Sequence, residues 1–167
     1  YAFLRKIYSF DISPYFSSNE VANRVYDLGT YYLSEWDDED IAEHSANQLS
    51  KLSPKLSRGI LYEKLWHRFD FDGAQNFYAE HEEWPDRTHV QQALVLANRG
   101  NHEEAQAIVA RLSSDSLQRT LKARLHFEAG KFDELAAIDP QVYAERLWQL
   151  TAMERTNLKD AVMQLHT

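Results

Sequence analysis

The chain has 167 residues, of which 44% are hydrophobic, 26% charged and 13% aromatic, proportions that fit one or two compact domains and argue against disorder. Its formal charge of -8 leaves no uniformly positive face for a phosphate backbone, so no direct nucleic-acid binding is expected. Zero Cys removes disulfides, thiolate metal sites and thiol catalysis, and leaves the choice between cytoplasm and periplasm open.

Five Gly and four Pro are too few for a sheet-rich chain, whereas Ala, Leu, Glu, Gln and Arg recur throughout; the fold class read from this is all-α. The chain opens on the apolar-basic run YAFLRKIYSF (1–10) without an initial Met. Residues 1–19 are therefore expected to be an N-terminal cap or linker on a piece of a larger protein. No apolar run reaches the roughly 18 to 20 residues of a membrane span, and no signal-peptide pattern is present. No membrane insertion by this segment is expected.

From Ser17 and Glu20, spaced as a capping box, Val21, Val25, Leu28 and Tyr32 recur at the three-and-four spacing of an amphipathic helix. The pattern breaks at WDDEDIAE (36–43). There Trp36 ends the helix, Asp37 or Asp38 caps the next, Glu39 and Asp40 favour its dipole, and a small residue, Ala42, follows before Ala46 and Leu49. Ser53-Pro54 reads as an N-cap with a first-turn proline, opening a helix through Ile60, Leu61, Leu65 and Phe69. FDFDGAQN (69–76) then repeats the break, with Ala74, Phe77 and Tyr78 after it and Pro85 closing the pair.

Val90, Ala93, Leu94 and Ala97 lead to GNHEEAQA (100–107) and its Ala105, followed by Ile108, Val109 and Leu112. Leu117, Leu121 and Leu125 lead to GKFDELAA (130–137), its Leu135 and then Ile138. Gly100 and Gly130 stand where a left-handed helix-terminal residue is wanted. After Asp139-Pro140, Tyr143, Leu147 and Leu150 lead to the weakest match, TNLKDAVM (156–163), with Ala161 and then Leu165. The anchors Ala42, Ala74, Ala105, Leu135 and Ala161 recur at intervals of 32, 31, 30 and 26 residues, the signature of stacked units that cannot bury their faces singly.

The segments LANRGNHEEAQAIVARL (96–112) and FEAGKFDELAAIDP (127–140) resemble the centre of a tetratricopeptide repeat: first-helix end, Gly turn, acids, then the small residue. The resemblance covers residues 20–167 and implies a right-handed α-α superhelix of about five helical hairpins. The period departs from that family's 34. The resemblance also implies that first helices line a concave surface that binds a peptide or partner helix. Carried over position by position, the partner-binding residues would be Asp27, Tyr31, Glu63, Trp66, Asn98, Arg124 and Phe127. Asp27, Tyr31 and Glu63 do not make the basic clamp with which some relatives grip a C-terminal carboxylate.

Chemical motifs are weaker. A calcium loop starting at Asp37 would need an oxygen ligand at Ile41 and Gly at Ala42, and one starting at Asp70 would need an oxygen ligand at Ala74, so both fail. His81-Glu82 and His102-Glu103 are not completed to HExxH, and no GxSxG or phosphate loop occurs. The acids near each second-helix start are better explained by helix dipoles, about 0.3 to 1 kcal/mol each, than by acid–base chemistry. No catalytic residue, cofactor or metal site is expected. Tyr31, Tyr32, Tyr62, Trp66, Trp84, Phe127, Tyr143 and Trp148 exceed what a helical core needs, and Tyr and Trp are favoured anchors at interfaces.

The expected function is a non-enzymatic scaffold whose protein or peptide partner is basic, matching the acidic surface. The alternative is a C-terminal sensory or regulatory domain of a larger bacterial transcription regulator or membrane-anchored activator, binding a small effector or forming a homo-oligomer.

Overall fold

The computed structural model describes residues 18–165, with side chains through Thr156. Residues 1–17 of the expected 1–19 cap, Ser17 among them, and the side chains of Ala161 and Leu165 lie outside the described residues, whereas Ser18 and Asn19 open the first helix. Within them there are nine α-helices and no strand, and no helix is long and apolar enough to cross a membrane. The helices are α1 (Ser18–Trp36), α2 (Glu39–Leu52), α3 (Pro54–His67), α4 (Phe71–Ala79), α5 (Asp86–Asn98), α6 (His102–Val109), α7 (Asp115–Glu128), α8 (Phe132–Ala136) and α9 (Tyr143–Leu165). They fall into two compact units, Tyr1–Thr88 and His89–Thr167.

The first four expected breaks are the joints α1/α2, α3/α4, α5/α6 and α7/α8, and they share one geometry. Each has a single residue at positive φ: Asp37 at 52°, Phe69 at 57°, Gly100 at 82° and Gly130 at 68°. In each case the anchor lies five positions later and is sealed from solvent, with Ala42, Ala74 and Ala105 at 0% exposure and Leu135 at 1%. The anchor amide makes the first regular bond of the new helix, as in Ala74 N donating to Asp70 O at 2.9 Å and Leu135 N to Lys131 O at 3.0 Å.

The three later joints close with the two bonds of a Schellman turn, which satisfies carbonyls a helix end would otherwise leave bare. Asp70 N donates to Leu65 O at 3.0 Å, Asn101 N to Leu96 O at 2.9 Å and Lys131 N to His126 O at 2.9 Å. The first joint is wider by one residue, with Asp38 N reaching Tyr32 O at 3.2 Å. Side chains cap where the chemistry allows: Asp38 accepts from Ile41 N at 3.0 Å and Asp70 from Gly73 N at 2.9 Å.

The expected fifth joint does not form. α9 is one helix of 23 residues running through Thr156 and Asn157. No glycine or proline interrupts TNLKDAVM, and the Thr156 hydroxyl bonds back to Ala152 O at 3.0 Å inside the helix. The described chain therefore has four joints of this kind followed by a single long helix.

In the Tyr1–Thr88 unit, Val21, Ala22, Val25, Tyr26 and Leu33 of α1 pack on Ala42, Ala46 and Leu49 of α2 and Ile60 of α3. The approach is closest at Gly29, where a Cβ would stand 2.7 Å from Ser45 Cβ and 2.8 Å from Ile60 Cδ1. Beneath α3 and α4 lies an aromatic core: Trp84 stacks on Tyr78 at 5.3 Å and meets Tyr62 edge-on at 5.8 Å. Its indole N–H donates to Tyr78 O at 3.2 Å and His81 O at 3.0 Å, covering the end of α4. The aromatic excess is thus partly structural, since Tyr32, Tyr62 and Trp84 are buried. In the His89–Thr167 unit, Ala123, Leu135 and Ala152 form a small core flanked by Phe127, Phe132, Ile138 and Trp148.

Two substitutions test the close approaches. Ala gains about 1 kcal/mol over Gly in helix propensity, yet Gly29→Ala is expected to destabilise, because the overlap with Ser45 and Ile60 costs more than that. Ala42→Leu is expected to lower stability by about 1 to 3 kcal/mol. Urea unfolding of each variant gives the sign; a stabilised Gly29→Ala would show that α1 has room to shift away from α2.

Candidate functional site

The residues expected to meet a partner divide between the two units. In the Tyr1–Thr88 unit, α1 turns Val21, Val25 and Leu33 inward, so Asp27, Leu28 and Tyr31 fall on its outer side. Tyr31 is 52% exposed, Leu28 40%, and Asp27 is exposed as well. Tyr31 meets Tyr32 edge-on at 5.7 Å, so the buried Tyr32 braces the exposed ring. Trp66 on α3 is half-buried and packs edge-on against Phe71 at 5.3 Å.

Glu63 differs from the expectation of a surface contact. It is fully buried, its Oε1 held by Arg87 and lying 3.7 Å from His67 Nε2. Its position on the helix is one turn from the core residue Ile60, and Arg87 supplies the counter-charge from the start of α5. Burial pushes the Glu63 carboxyl above its ordinary value, with Arg87 and then His67 pulling it back. Burial and the neighbouring Glu63 likewise push the Tyr26 phenol up.

In the His89–Thr167 unit, Asn98 is exposed at the end of α5. Arg124 is exposed and paired along α7 with Glu128 at 2.9 Å. Phe127 is half-buried, with the Arg155 guanidinium 5.2 Å above its ring. A single helix carries Arg124 and Phe127, at the spacing of one turn.

Three features escaped the sequence reading. Arg87 carries no local signal as a partner of Glu63, 24 positions earlier. Glu145 on α9 is fully buried; it accepts from Thr120 Oγ1 at 2.6 Å, Gln141 N at 2.7 Å, Val142 N at 3.3 Å and Arg119 Nε at 3.3 Å. The third is the exposure of Trp36 at 60%, read from the sequence as a helix end, and of Phe69 at 79%, read as the last apolar position of its helix. Burial would raise the Glu145 carboxyl, but the Thr120, Gln141 and Val142 donors and the Arg119 charge together hold it below its ordinary value. Among the described residues no three His, Asp or Glu side chains are grouped to hold a metal ion.

The two buried carboxylates act on stability with opposite signs. Glu63, raised on folding, holds its proton more tightly in the native state; its contribution is most favourable below pH 4.5 and falls as pH rises above that value. Glu145, lowered on folding, stabilises above pH 4.5 and loses that contribution as pH falls through its folded value. At neutral pH Glu145→Gln is expected to cost about 2 kcal/mol or more, and Glu63→Gln less. Urea midpoints at acid and neutral pH check this. The stability gap to wild type should shrink toward acid for Glu145→Gln; a gap independent of pH in both variants would rule out the assignment.

Compared with protein-family models, curated proteins and solved structures, the chain matches none.

Proposed function

We propose that the chain is a protein-interaction module, with its helical pairs arranged as a tetratricopeptide-like right-handed superhelix whose first-helix faces receive a peptide or partner helix. The observation that carries this reading is Tyr31, half exposed on a helix whose other side is locked into the core. A rigid aromatic on a rigid helix loses little freedom on binding, which is why Tyr and Trp dominate the energetics of interfaces. Asp27 and Leu28 beside it supply a charge and an apolar surface, and Trp66 on α3 offers a second partly accessible ring. The acidic chain suits a basic partner. No set of residues described above converges as a nucleophile with its base.

A second reading, a regulatory domain for a small effector, has one observation in its favour. In the His89–Thr167 unit a cleft of about 530 Å3 is lined by Gln106, Val109, Arg119, Lys122 and Ile138, among others. That volume, and a lining that sets Val109, Ala110 and Ile138 beside the charged Asp115, Arg119, Lys122 and Asp139, suit a small polar ligand.

Peptides selected by display on the intact chain test the first reading. Their affinity is expected to fall on the order of tenfold in Tyr31→Ala and in Trp66→Ala, the loss of an interface anchor, with helical content and unfolding midpoint kept. Peptides indifferent to both substitutions would mean the faces are wrongly assigned.

A further inference from the structure

α9 is amphipathic in the opposite sense to a core helix. Such helices put their large apolar residues against the core and their polar ones in water, but the side of α9 that faces α7 and α8 holds Glu145, Gln149 and Ala152, with half-buried Trp148 beside them. Glu145 is held by Thr120 and Arg119 of α7, and the Gln149 amide donates to Leu135 O at 2.9 Å and Ile138 O at 2.6 Å. Most of the large apolar residues point the other way: Tyr143, Leu147, Leu150 and Met153 lie about half or more in water, Tyr143 at 80%.

These four residues recur at intervals of four, three and three, so they make one stripe along the helix rather than scattered contacts with water. Two charges flank its centre, Arg146 one turn before Leu150 and Glu154 one turn after. Both are exposed, and among the described residues neither side chain has a partner. Arg155, the next charge along, is by contrast already placed over the Phe127 ring.

We infer that this stripe is the contact of α9 with a second copy of the chain, the two helices running antiparallel about a two-fold axis at Leu150. A two-fold contact is self-complementary: what lies before the axis residue meets what lies equally far after it in the other copy. Arg146 stands four positions before Leu150 and Glu154 four after, so each copy sets its cation against the other's anion. Leu147 and Met153, three before and three after, match in the same way, and Leu150 meets itself. The row Arg146, Leu150, Glu154 is an i±4 ridge, and two such ridges lie side by side when helices cross at about -50°, the commonest packing class. A parallel pairing would instead set Arg146 against Arg146 and Glu154 against Glu154. The seam is neutral, unlike the acidic chain as a whole, so the copies do not repel where they touch. Neither Tyr31 nor Trp66 takes part, and the contact does not rest on the peptide-binding reading.

Sedimentation equilibrium of the intact chain is the test. The mean mass rises from 19.5 kDa toward twice that value over micromolar to millimolar concentrations, the range for a contact of this small size. Leu150→Glu sets two carboxylates against each other on the axis and leaves the chain monomeric. Arg146→Glu and Glu154→Arg each weaken the dimer on the order of tenfold, since each turns two attractive pairs into two repulsive ones. The two reversals together restore it, because the pairs are again opposite in sign. All three side chains are exposed, so helical content and unfolding midpoint are kept in every variant.

A wild-type chain that keeps its monomer mass at every concentration overturns the inference and leaves the stripe to a different protein. A dimer indifferent to Leu150→Glu overturns it as well, by placing self-association on another surface. If the double reversal stays as weak as the single ones, the antiparallel contact is wrong. Tyr31→Ala leaves dimerisation unchanged, and the displayed peptides judge the α1 face separately, so either surface can fail without the other.

Discussion

The structure depends on one constraint repeated along the chain: a helix must stop, reverse and begin again within about five residues while leaving no buried backbone group bare. The solution at Phe69, Gly100 and Gly130 is a left-handed residue with paired helix-end bonds. At Asp37 the turn is one residue wider but keeps the same sense. Each reversal then delivers a sealed residue, Ala42, Ala74, Ala105 or Leu135, to the inside of the pair. Because the first helical turn is the costly part of helix formation, a joint that sets it in place also sets the direction of the helix. What side chains do elsewhere is conditional on that geometry: Tyr31 faces outward because Leu33 and Val25 are held inward.

Buried charge shows how different solutions coexist in one chain. Glu145 is surrounded by donors from Thr120, Arg119 and two backbone amides at the start of α9, so it behaves as a helix cap that happens to be buried. Glu63 has Arg87 and His67 and little else, and its Oε2 has no hydrogen-bond partner. A buried acceptor left without a donor costs free energy, whereas a satisfied one need not. Glu63 is therefore the weaker of the two buried carboxylate sites, and its pairing with Arg87 ties α3 to the start of α5.

Much of the fold was legible because it is written in local periodicity. Anchor spacing located four joints; Gly100 and Gly130 announced their own backbone angles; Asp38 and Asp70 stood where caps are needed. The fifth joint was misread for a physical reason. Its acids and alanine match the others, but nothing in TNLKDAVM demands a left-handed residue, and without one a helix of good formers continues. The candidate faces were less legible. Glu63 sits at a position the repeat pattern assigns to a surface, and only the distant Arg87 makes its burial tolerable, a pairing no spacing rule contains. Tyr62 and Trp84 read as surplus aromatics because stacking between distant rings leaves no mark on the sequence near either one.

The acidic stretch from Trp36 to Glu43 can now be divided by what each residue does. Asp38 caps α2, Glu39 holds Arg68 and Lys64, and Asp37 takes the left-handed angle. These roles account for Asp37, Asp38 and Glu39 in structural terms, as helix dipoles and joints would require. The ring of Phe69 stays 79% in solvent and meets Phe71 edge-on at 6.1 Å, and Trp36 is 60% exposed. A joint can be built with Gly, as two of the four are, and a residue that adds strain without filling space is retained against the local preference of the backbone.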